Sequence, residues 1–119
     1  MSGEREDLRR RTKQFALRII RVYGALPTAT VAQVLGKQVL RSGTSIGAHY
    51  REASRARSSP EYISKLKIGL QELEETTYWL ELLVEAGLVP PERLADLIEE
   101  TSQLTAILAS CVKKARQHS

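Results

Sequence analysis

The chain has 119 residues, 42% of them hydrophobic and 27% charged, which is the size and composition of one globular domain. Its apolar runs are shorter than the roughly 20 residues that a membrane span needs, and its N-terminus lacks the apolar region of a secretory signal. The single cysteine, Cys111, excludes an intrachain disulfide, and its spacing from nearby leucines predicts a core position. These features predict a cytoplasmic protein that does not associate with a membrane.

The net charge of +4 conceals an uneven distribution along the chain. Residues 1–58 hold 12 Lys and Arg against 4 acids, whereas residues 59–119 hold 6 against 10. Such a division indicates either a polyanionic partner or a fold in which one half of the chain neutralises the other. The sequence leaves both explanations open.

Two helices are predicted in the first half of the chain. The first spans residues 7–25, where apolar side chains recur every three or four residues, and it ends before a Leu-Pro pair. The second spans residues 31–54, with Thr30 as its N-cap. Each glycine inside a helix costs about 1 kcal/mol relative to alanine, so we expect the glycine-containing segment 42–48 to pack closely against a neighbouring helix.

Two further helices follow. Ser59 as an N-cap, with proline and glutamate after it, predicts the start of a third helix that spans residues 60–86 and ends at Gly87. The fourth spans residues 91–114. Four amphipathic helices with short connections predict an all-α fold, a single up-down-up-down four-helix bundle domain over residues 1–119.

The first and third helices carry more apolar surface than one core needs. The additional stripe on the third helix contains the only tryptophan of the chain. Apolar stripes of this kind indicate a subunit interface, so we expect copies of the same chain to cover them. The predicted interface residues are Leu17, Ile20, Ile68, Trp79 and Leu82.

The sequence shows no catalytic or metal-binding constellation. A ferritin-like di-iron site needs two Glu-x-x-His motifs that face the core, and this chain has only His49 and Glu52, in the reverse order. His49 follows Ser45 by one turn, but no oxyanion hole or glycine-rich nucleophile turn accompanies the pair. We therefore predict that the protein is not an enzyme and uses no metal or cofactor.

Basic residues cluster on the first helix and at the end of the second. The arginine fork donates two parallel hydrogen bonds to a phosphate, so these side chains predict binding of RNA or DNA. Aromatic residues for base stacking are nearly absent, which indicates backbone contacts with little sequence preference. The predicted nucleic-acid-binding residues are Arg9, Arg10, Arg11, Lys13, Arg18, Arg21, Arg51, Arg55 and Arg57.

Residues 38–53, QVLRSGTSIGAHYREA, resemble the central signature of the four-helix bundle proteins encoded in intervening sequences of bacterial 23S ribosomal RNA genes. The resemblance covers about residues 8–112. His49 stands where the family usually has asparagine, and Ala53 where it usually has glycine. The family's motif positions in this chain are Gln38, Arg41, Ser45, Ile46, His49, Glu52 and Glu72.

The resemblance implies a bundle that assembles into a homo-oligomeric ring, commonly a pentamer. It also implies kinship in fold with the accessory protein of diversity-generating retroelements, which works with a reverse transcriptase and nucleic acid. The family has no settled activity. We expect its motif positions to be structural, with Arg41 and Glu52 of the second helix paired with glutamates such as Glu72 or Glu75 of the third.

These features predict a non-enzymatic, oligomeric bundle that binds RNA or DNA electrostatically, as an accessory factor of a ribonucleoprotein or of a reverse transcriptase. One alternative is a structural or protein-interaction module whose basic residues only complement its acidic ones. Another is a helix-turn-helix regulator with Gly43 at the turn, although helical periodicity continues through Gln38, Val39 and Ser42.

Overall fold

The computed structural model describes residues 2–118, which form four α-helices and no strand. The all-α fold with four helices that the sequence predicted is confirmed. The predicted domain also included Met1 and Ser119, which lie outside the described residues. The helices are α1 (Ser2–Gly24), α2 (Thr30–Ser54), α3 (Ser59–Glu85) and α4 (Pro91–Gln117).

Consecutive helices pack against each other and run in alternating directions, because the short connections between them leave no room for a crossover. α1 packs on α2, α2 on α3 and α3 on α4, whereas α1 closes on α4 through a much smaller contact. The bundle measures 48 × 21 × 19 Å. Cys111 is buried, as predicted. The largest fully buried side chains come from all four helices: Leu8, Phe15, Ile19, Val39, Ile46, Leu66, Leu73, Leu80, Leu83, Leu94, Leu104 and Leu108.

The starts of α1, α2 and α3 differ from the prediction by one to five residues, whereas α4 starts at Pro91, the predicted residue. α1 begins at Ser2 instead of residue 7, consistent with the acidic residues that follow, which favour a helix N-terminus. The prediction of Thr30 as an N-cap is wrong, because Thr30 is already helical and Ala29 holds the cap position without a side-chain hydrogen bond. The cap of α3 is Ser58, whose extended backbone lets its Oγ accept from the Glu61 N–H at 3.2 Å.

The end of α3 is closed by a left-handed glycine, as the sequence predicted. Gly87 has φ of 74°, a conformation that glycine adopts without a steric penalty. The Gly87 N–H donates to the carbonyl of Val84 at 3.0 Å, and the Leu88 N–H donates to the carbonyl of Leu83 at 3.0 Å. These two bonds form a Schellman motif, which reverses the chain into α4.

The glycine-containing segment of α2 packs closely against α1, which confirms the expectation from the sequence. A Cβ added at Gly43 would lie 2.7 Å from the Ile19 side chain, and one at Gly47 would lie 3.1 Å from Thr12 Oγ1. Both glycines are buried. The absence of a side chain therefore lets α1 approach the backbone of α2 along this segment.

Candidate nucleic-acid interface

The alternating directions of the helices bring distant parts of the sequence to the same end of the bundle. One end combines the first halves of α1 and α3 with the second halves of α2 and α4. We call this part the basic half, residues 2–14, 46–71 and 105–118, and the remainder the acidic half, residues 15–45 and 72–104. The hydrogen bond from Ser45 to Glu72 marks the level at which the two halves meet on α2 and α3.

Charge is divided between the two ends of the bundle. The basic half holds 13 Lys and Arg against 5 acids, a formal charge of +8, whereas the acidic half holds 5 against 9, a formal charge of −4. Lys113, Lys114 and Arg116 at the end of α4 join the basic half, although they belong to the acidic part of the linear sequence. The imbalance seen along the chain is therefore an end-to-end imbalance in the folded molecule.

The structure brings most of the predicted nucleic-acid-binding residues together. Seven of the nine lie in the basic half, whereas Arg18 and Arg21 lie in the acidic half, with Arg21 about 18 Å along α1 from Arg9 at 1.5 Å per residue. Arg10 forms an ion pair with Asp7 one turn earlier. The predicted residues that are exposed in the basic half are Arg9, Arg10, Lys13, Arg55 and Arg57.

Arg11 connects α1 to α4. Its Nε and Nη2 donate to the two carboxylate oxygens of Glu100 at 3.2 and 2.9 Å, and Nη2 also donates to Gln103 at 2.9 Å. The hydrogen bond to Glu100 raises the pKa of the Arg11 guanidinium above its ordinary value. The fork that the sequence assigned to phosphate is thus occupied by a carboxylate, and the side chain is only 24% exposed.

Three family motif positions form one polar cluster between α2 and α3. Arg41 Nη1 donates to Glu72 Oε2 at 3.1 Å, and Arg41 Nη2 donates to Glu75 at 2.7 Å. Ser45 Oγ donates to the same Oε2 of Glu72. The expected pairing of Arg41 with Glu72 and Glu75 is confirmed. Below this cluster, Thr76 donates to Ser42 in the buried interior at 2.8 Å.

The expectation that Glu52 faces a glutamate of α3 is wrong. Glu52 accepts from Lys65 Nζ at 3.1 Å and contacts His49 Nδ1 at 3.1 Å. The hydrogen bond from Lys65 holds the pKa of the Glu52 carboxyl below its ordinary value. Of the remaining motif positions, Ile46 is fully buried and Gln38 lies within 3.4 Å of Arg41 Nε. Of these contacts, the one between Lys65 and Glu52 joins α3 to α2, whereas the His49–Glu52 and Gln38–Arg41 contacts lie within α2.

The predicted interface residues differ in exposure. Leu17 is 36% and Ile20 is 49% exposed, whereas Ile68, Trp79 and Leu82 are half-buried. Trp79 packs against the core, and its Nε1 is buried without a hydrogen-bond partner among the described residues. The third-helix stripe is therefore less available to a second copy than the sequence indicated.

Sequence reasoning missed three exposed apolar side chains: Val31 at 58%, Val34 at 57% and Tyr78 at 53%. The sequence pattern did not identify the two valines as exposed. α2 turns Ala32, Gly36 and Val39 to the core, which leaves Val31 and Val34 on the outward side of the helix. Within residues 2–118, all five exposed large hydrophobic side chains lie in the acidic half. The two ends of the molecule thus differ in apolar surface as well as in charge.

The structure contradicts the helix-turn-helix alternative. α2 is one continuous helix from Thr30 to Ser54, and Gly43 is buried within it, so the turn that this alternative needs does not form. Across residues 2–118, no three or more His, Cys, Asp and Glu side chains group as metal ligands. None of the helices in this part of the chain is long and apolar enough to cross a membrane.

Comparisons with known proteins identify a family and a fold. The chain is similar to a protein of unknown function from the S23 ribosomal protein family of Bacteroides thetaiotaomicron VPI-5482, whose crystal structure matches with a TM-score of 0.87 and 37% sequence identity. The match covers 92% of this chain and 98% of that one. No curated protein matches the sequence. A family model described as 23S rRNA-intervening sequence protein matches residues 4–110, and the chain therefore belongs to this family.

Proposed function

We propose that this protein is a non-enzymatic, oligomeric helical bundle whose basic half binds the phosphate backbone of RNA or DNA, as an accessory factor of a ribonucleoprotein or a reverse transcriptase. The observation that carries the proposal is the charge of +8 on one half and −4 on the other. A phosphate backbone that meets such an end releases condensed counterions, which supplies affinity without base contacts.

Several basic side chains are available for this role. Arg9, Lys13 and Arg55 are exposed, and none of them forms an ion pair within residues 2–118. Exposed arginine and lysine keep their hydration until a phosphate replaces it, so they add little to folding and are free to contribute to binding. This separates them from Arg11 and Arg41, which hold helices together.

Assembly into a ring is the second part of the proposal. A closed ring needs two different patches on each copy, because each subunit contacts its neighbours head to tail. Exposed apolar side chains occur on α1 (Leu17, Ile20), on α2 (Val31, Val34) and on α3 (Tyr78). Since all of them lie in the acidic half, copies that join through this half leave their basic ends at the same side. The repeated basic ends would then form one extended surface for a polyanion.

The proposal is tested by the salt dependence of binding to a labelled single-stranded RNA, measured by fluorescence anisotropy. We expect the logarithm of the association constant to fall linearly with the logarithm of salt concentration. The triple variant Arg9→Gln, Lys13→Gln, Arg55→Gln removes three phosphate contacts, so its slope should be shallower by about 2, at about 0.7 per contact. Its affinity at low salt should fall by at least about tenfold.

A charge-matched control distinguishes a binding surface from net charge. The triple variant Arg21→Gln, Lys37→Gln, Arg93→Gln removes three exposed positive charges from the acidic half. We expect it to keep the wild-type slope and to bind within about twofold of the wild-type affinity. Equal losses in the two triple variants would contradict a localised surface, and absence of binding to RNA and DNA at low salt would overturn the proposed function.

The Arg11–Glu100 pair favours the alternative of a structural module. It shows that one predicted phosphate-binding arginine is matched by an acid of another helix. If the remaining basic residues also served only the fold or contacts with another protein, RNA and DNA would fail to bind while the oligomer stayed intact. The anisotropy measurement separates the two functions directly.

A further inference from the structure

The end of the basic half contains a cavity of about 580 Å³, where all four helices contribute side chains. This volume falls within the range of about 300–1,000 Å³ that is typical of small-molecule sites. Tyr50 and Cys111 are buried on its lining and Tyr62 is half-buried, while Arg5, Arg57 and His118 are exposed there. The cavity therefore combines an aromatic wall with a cationic opening.

The charged side chains that line the cavity have one sign, and the Glu61 carboxylate, which accepts from the Arg57 backbone N–H at 3.2 Å, lies outside the lining. Its described lining contains arginine, lysine and histidine side chains but no aspartate or glutamate. The guanidinium groups of Arg5 and Arg57 form no ion pair within residues 2–118. The start of α3 at Ser59 adds a partial positive charge in the same place. An anion that enters the cavity thus meets several positive charges without displacing a carboxylate from these two arginines.

Tyr62 supplies a neutral polar group beside these cations. Burial, together with the neighbouring Cys111 and Tyr50, raises the pKa of Tyr62 to about 12. The phenol therefore keeps its proton at neutral pH, and its aromatic face stays uncharged. A flat ring next to guanidinium groups is the combination that proteins use for the base and the phosphate of a single nucleotide.

The charge of the cavity favours the end of a strand over its middle. A terminal phosphomonoester carries about −1.5 to −2 charges at neutral pH, whereas each internal phosphodiester carries one negative charge. Several cations around one cavity therefore favour a terminal phosphate over an internal one.

We propose that this cavity binds the terminal nucleotide of a single-stranded nucleic acid that ends in a phosphomonoester, with the phosphate between Arg5 and Arg57 and the base against Tyr62. The inference rests on the proposed function and adds to it a preference for strand ends, which contacts with the phosphate backbone alone do not provide.

The test compares three labelled oligonucleotides of identical sequence that carry a 5′-phosphate, a 3′-phosphate or hydroxyls at both ends. We expect wild-type protein to bind one of the phosphorylated oligonucleotides about tenfold more tightly than the hydroxyl form, the effect of one or two charge-assisted hydrogen bonds at an exposed site. The phosphorylated oligonucleotide that binds more tightly identifies whether the 5′ or the 3′ end of the strand enters the cavity. The variant Arg5→Gln, Arg57→Gln should bind all three oligonucleotides with the same affinity.

The control variant Arg9→Gln, Arg55→Gln removes the same charge from the basic half but outside the cavity. It should weaken binding of all three oligonucleotides and keep their ratio. All four substituted arginines are exposed, so circular dichroism should show unchanged helix content in both variants.

The outcomes separate this inference from the proposed function. If wild-type protein binds the three oligonucleotides with equal affinity, the cavity does not recognise strand ends, although the proposed function stands. The same conclusion follows if the preference survives in the Arg5→Gln, Arg57→Gln variant. If none of the oligonucleotides binds at low salt, both the inference and the proposed function are wrong.

Discussion

Glu72 is the only charged side chain among the described residues that the bundle buries. A buried carboxylate is costly unless donors replace the water that it loses. Here Arg41 and Ser45 both donate to Oε2 of Glu72, so three motif positions serve one purpose. The cluster fixes how α2 and α3 are aligned along their length, which explains why the family signature contains polar residues at a helix interface.

The first prediction concerns Arg41. Arg41→Leu should lower the free energy of unfolding by about 1 kcal/mol, because Glu72 loses its cationic donor but keeps Ser45; the half-exposed position of Arg41 limits the effect. Urea denaturation measures the change. Lys37→Leu, one turn earlier on α2 and exposed, serves as the control and should change stability by less than about 0.5 kcal/mol. An unchanged midpoint for Arg41→Leu would contradict the structural role of the cluster.

Residue-level contacts were only partly predictable. The pairing of Arg41 with glutamates of α3 could be expected, because several acids follow one another at helical spacing and one of them had to lie opposite Arg41. The partner of Glu52 was not predictable in the same way. Periodicity shows which face of a helix is polar, but it does not give the register between two helices, and that register places Lys65 opposite Glu52.

At the scale of elements, the buried glycines of α2 determine how closely α1 approaches. Gly43 lies against Ile19, which is itself fully buried, so a new methyl group would have no space to enter. Gly69 of α3 is also buried and helical, but a Cβ there would meet its nearest neighbour, Leu108, at 3.8 Å, an ordinary contact distance. An added methyl group therefore has no space at Gly43 but fits at Gly69.

The second prediction uses this difference. Gly43→Ala should destabilise the protein by about 1 kcal/mol, because overpacking of about 1–3 kcal/mol outweighs the gain in helix propensity of about 1 kcal/mol. Gly69→Ala should stabilise it by about 0.5–1 kcal/mol, since only the gain in propensity applies. Thermal or urea denaturation of the two variants checks the opposite signs. Stabilisation by both substitutions would show that α1 moves away from α2 easily.

The number and type of the helices could be predicted from the sequence, whereas their ends were less certain. Apolar spacing and the positions of proline and glycine are strong signals, and they located Gly87 correctly. Two adjacent serines stand at the start of α3, and only the backbone geometry shows that Ser58 is the cap and Ser59 the first helical residue. A pattern of residue types cannot show which of two adjacent serines is the cap.

At the scale of the whole molecule, the linear charge pattern was an incomplete guide. Along the sequence the charge changes sign at the middle of the chain. In the folded bundle, the boundary between the basic half and the acidic half crosses the middle of every helix. The topology that the sequence predicted already implied this arrangement, because alternating helices return every second terminus to the same end. The basic end of α4 could therefore have been assigned to the basic half from the sequence. The exposure of Val31 and Val34 depends on the rotation of α2 about its axis, which the sequence does not give.

The third prediction concerns assembly. Native mass spectrometry should show a homo-oligomer of the wild-type protein at micromolar concentration. The double variant Ile20→Glu, Val34→Glu should be monomeric, because it places two charges on exposed apolar surface in the acidic half. Ser110→Glu is exposed in the basic half and should keep the wild-type mass. A monomeric wild-type protein would rule out the ring.

The small contact between α1 and α4 gives the first helix only one broad neighbour, α2. The fourth helix is in the same position, since α3 is its only broad neighbour. Local opening starts where the fewest contacts must break, so α1 and α4 are the segments whose detachment requires the least free energy. α1 carries Arg9, Lys13, Leu17 and Ile20. A bound polyanion or an adjoining copy that holds these side chains would therefore reinforce one of the two weakly held helices, and amide protons of α1 would exchange more slowly in the complex than in the separated chain.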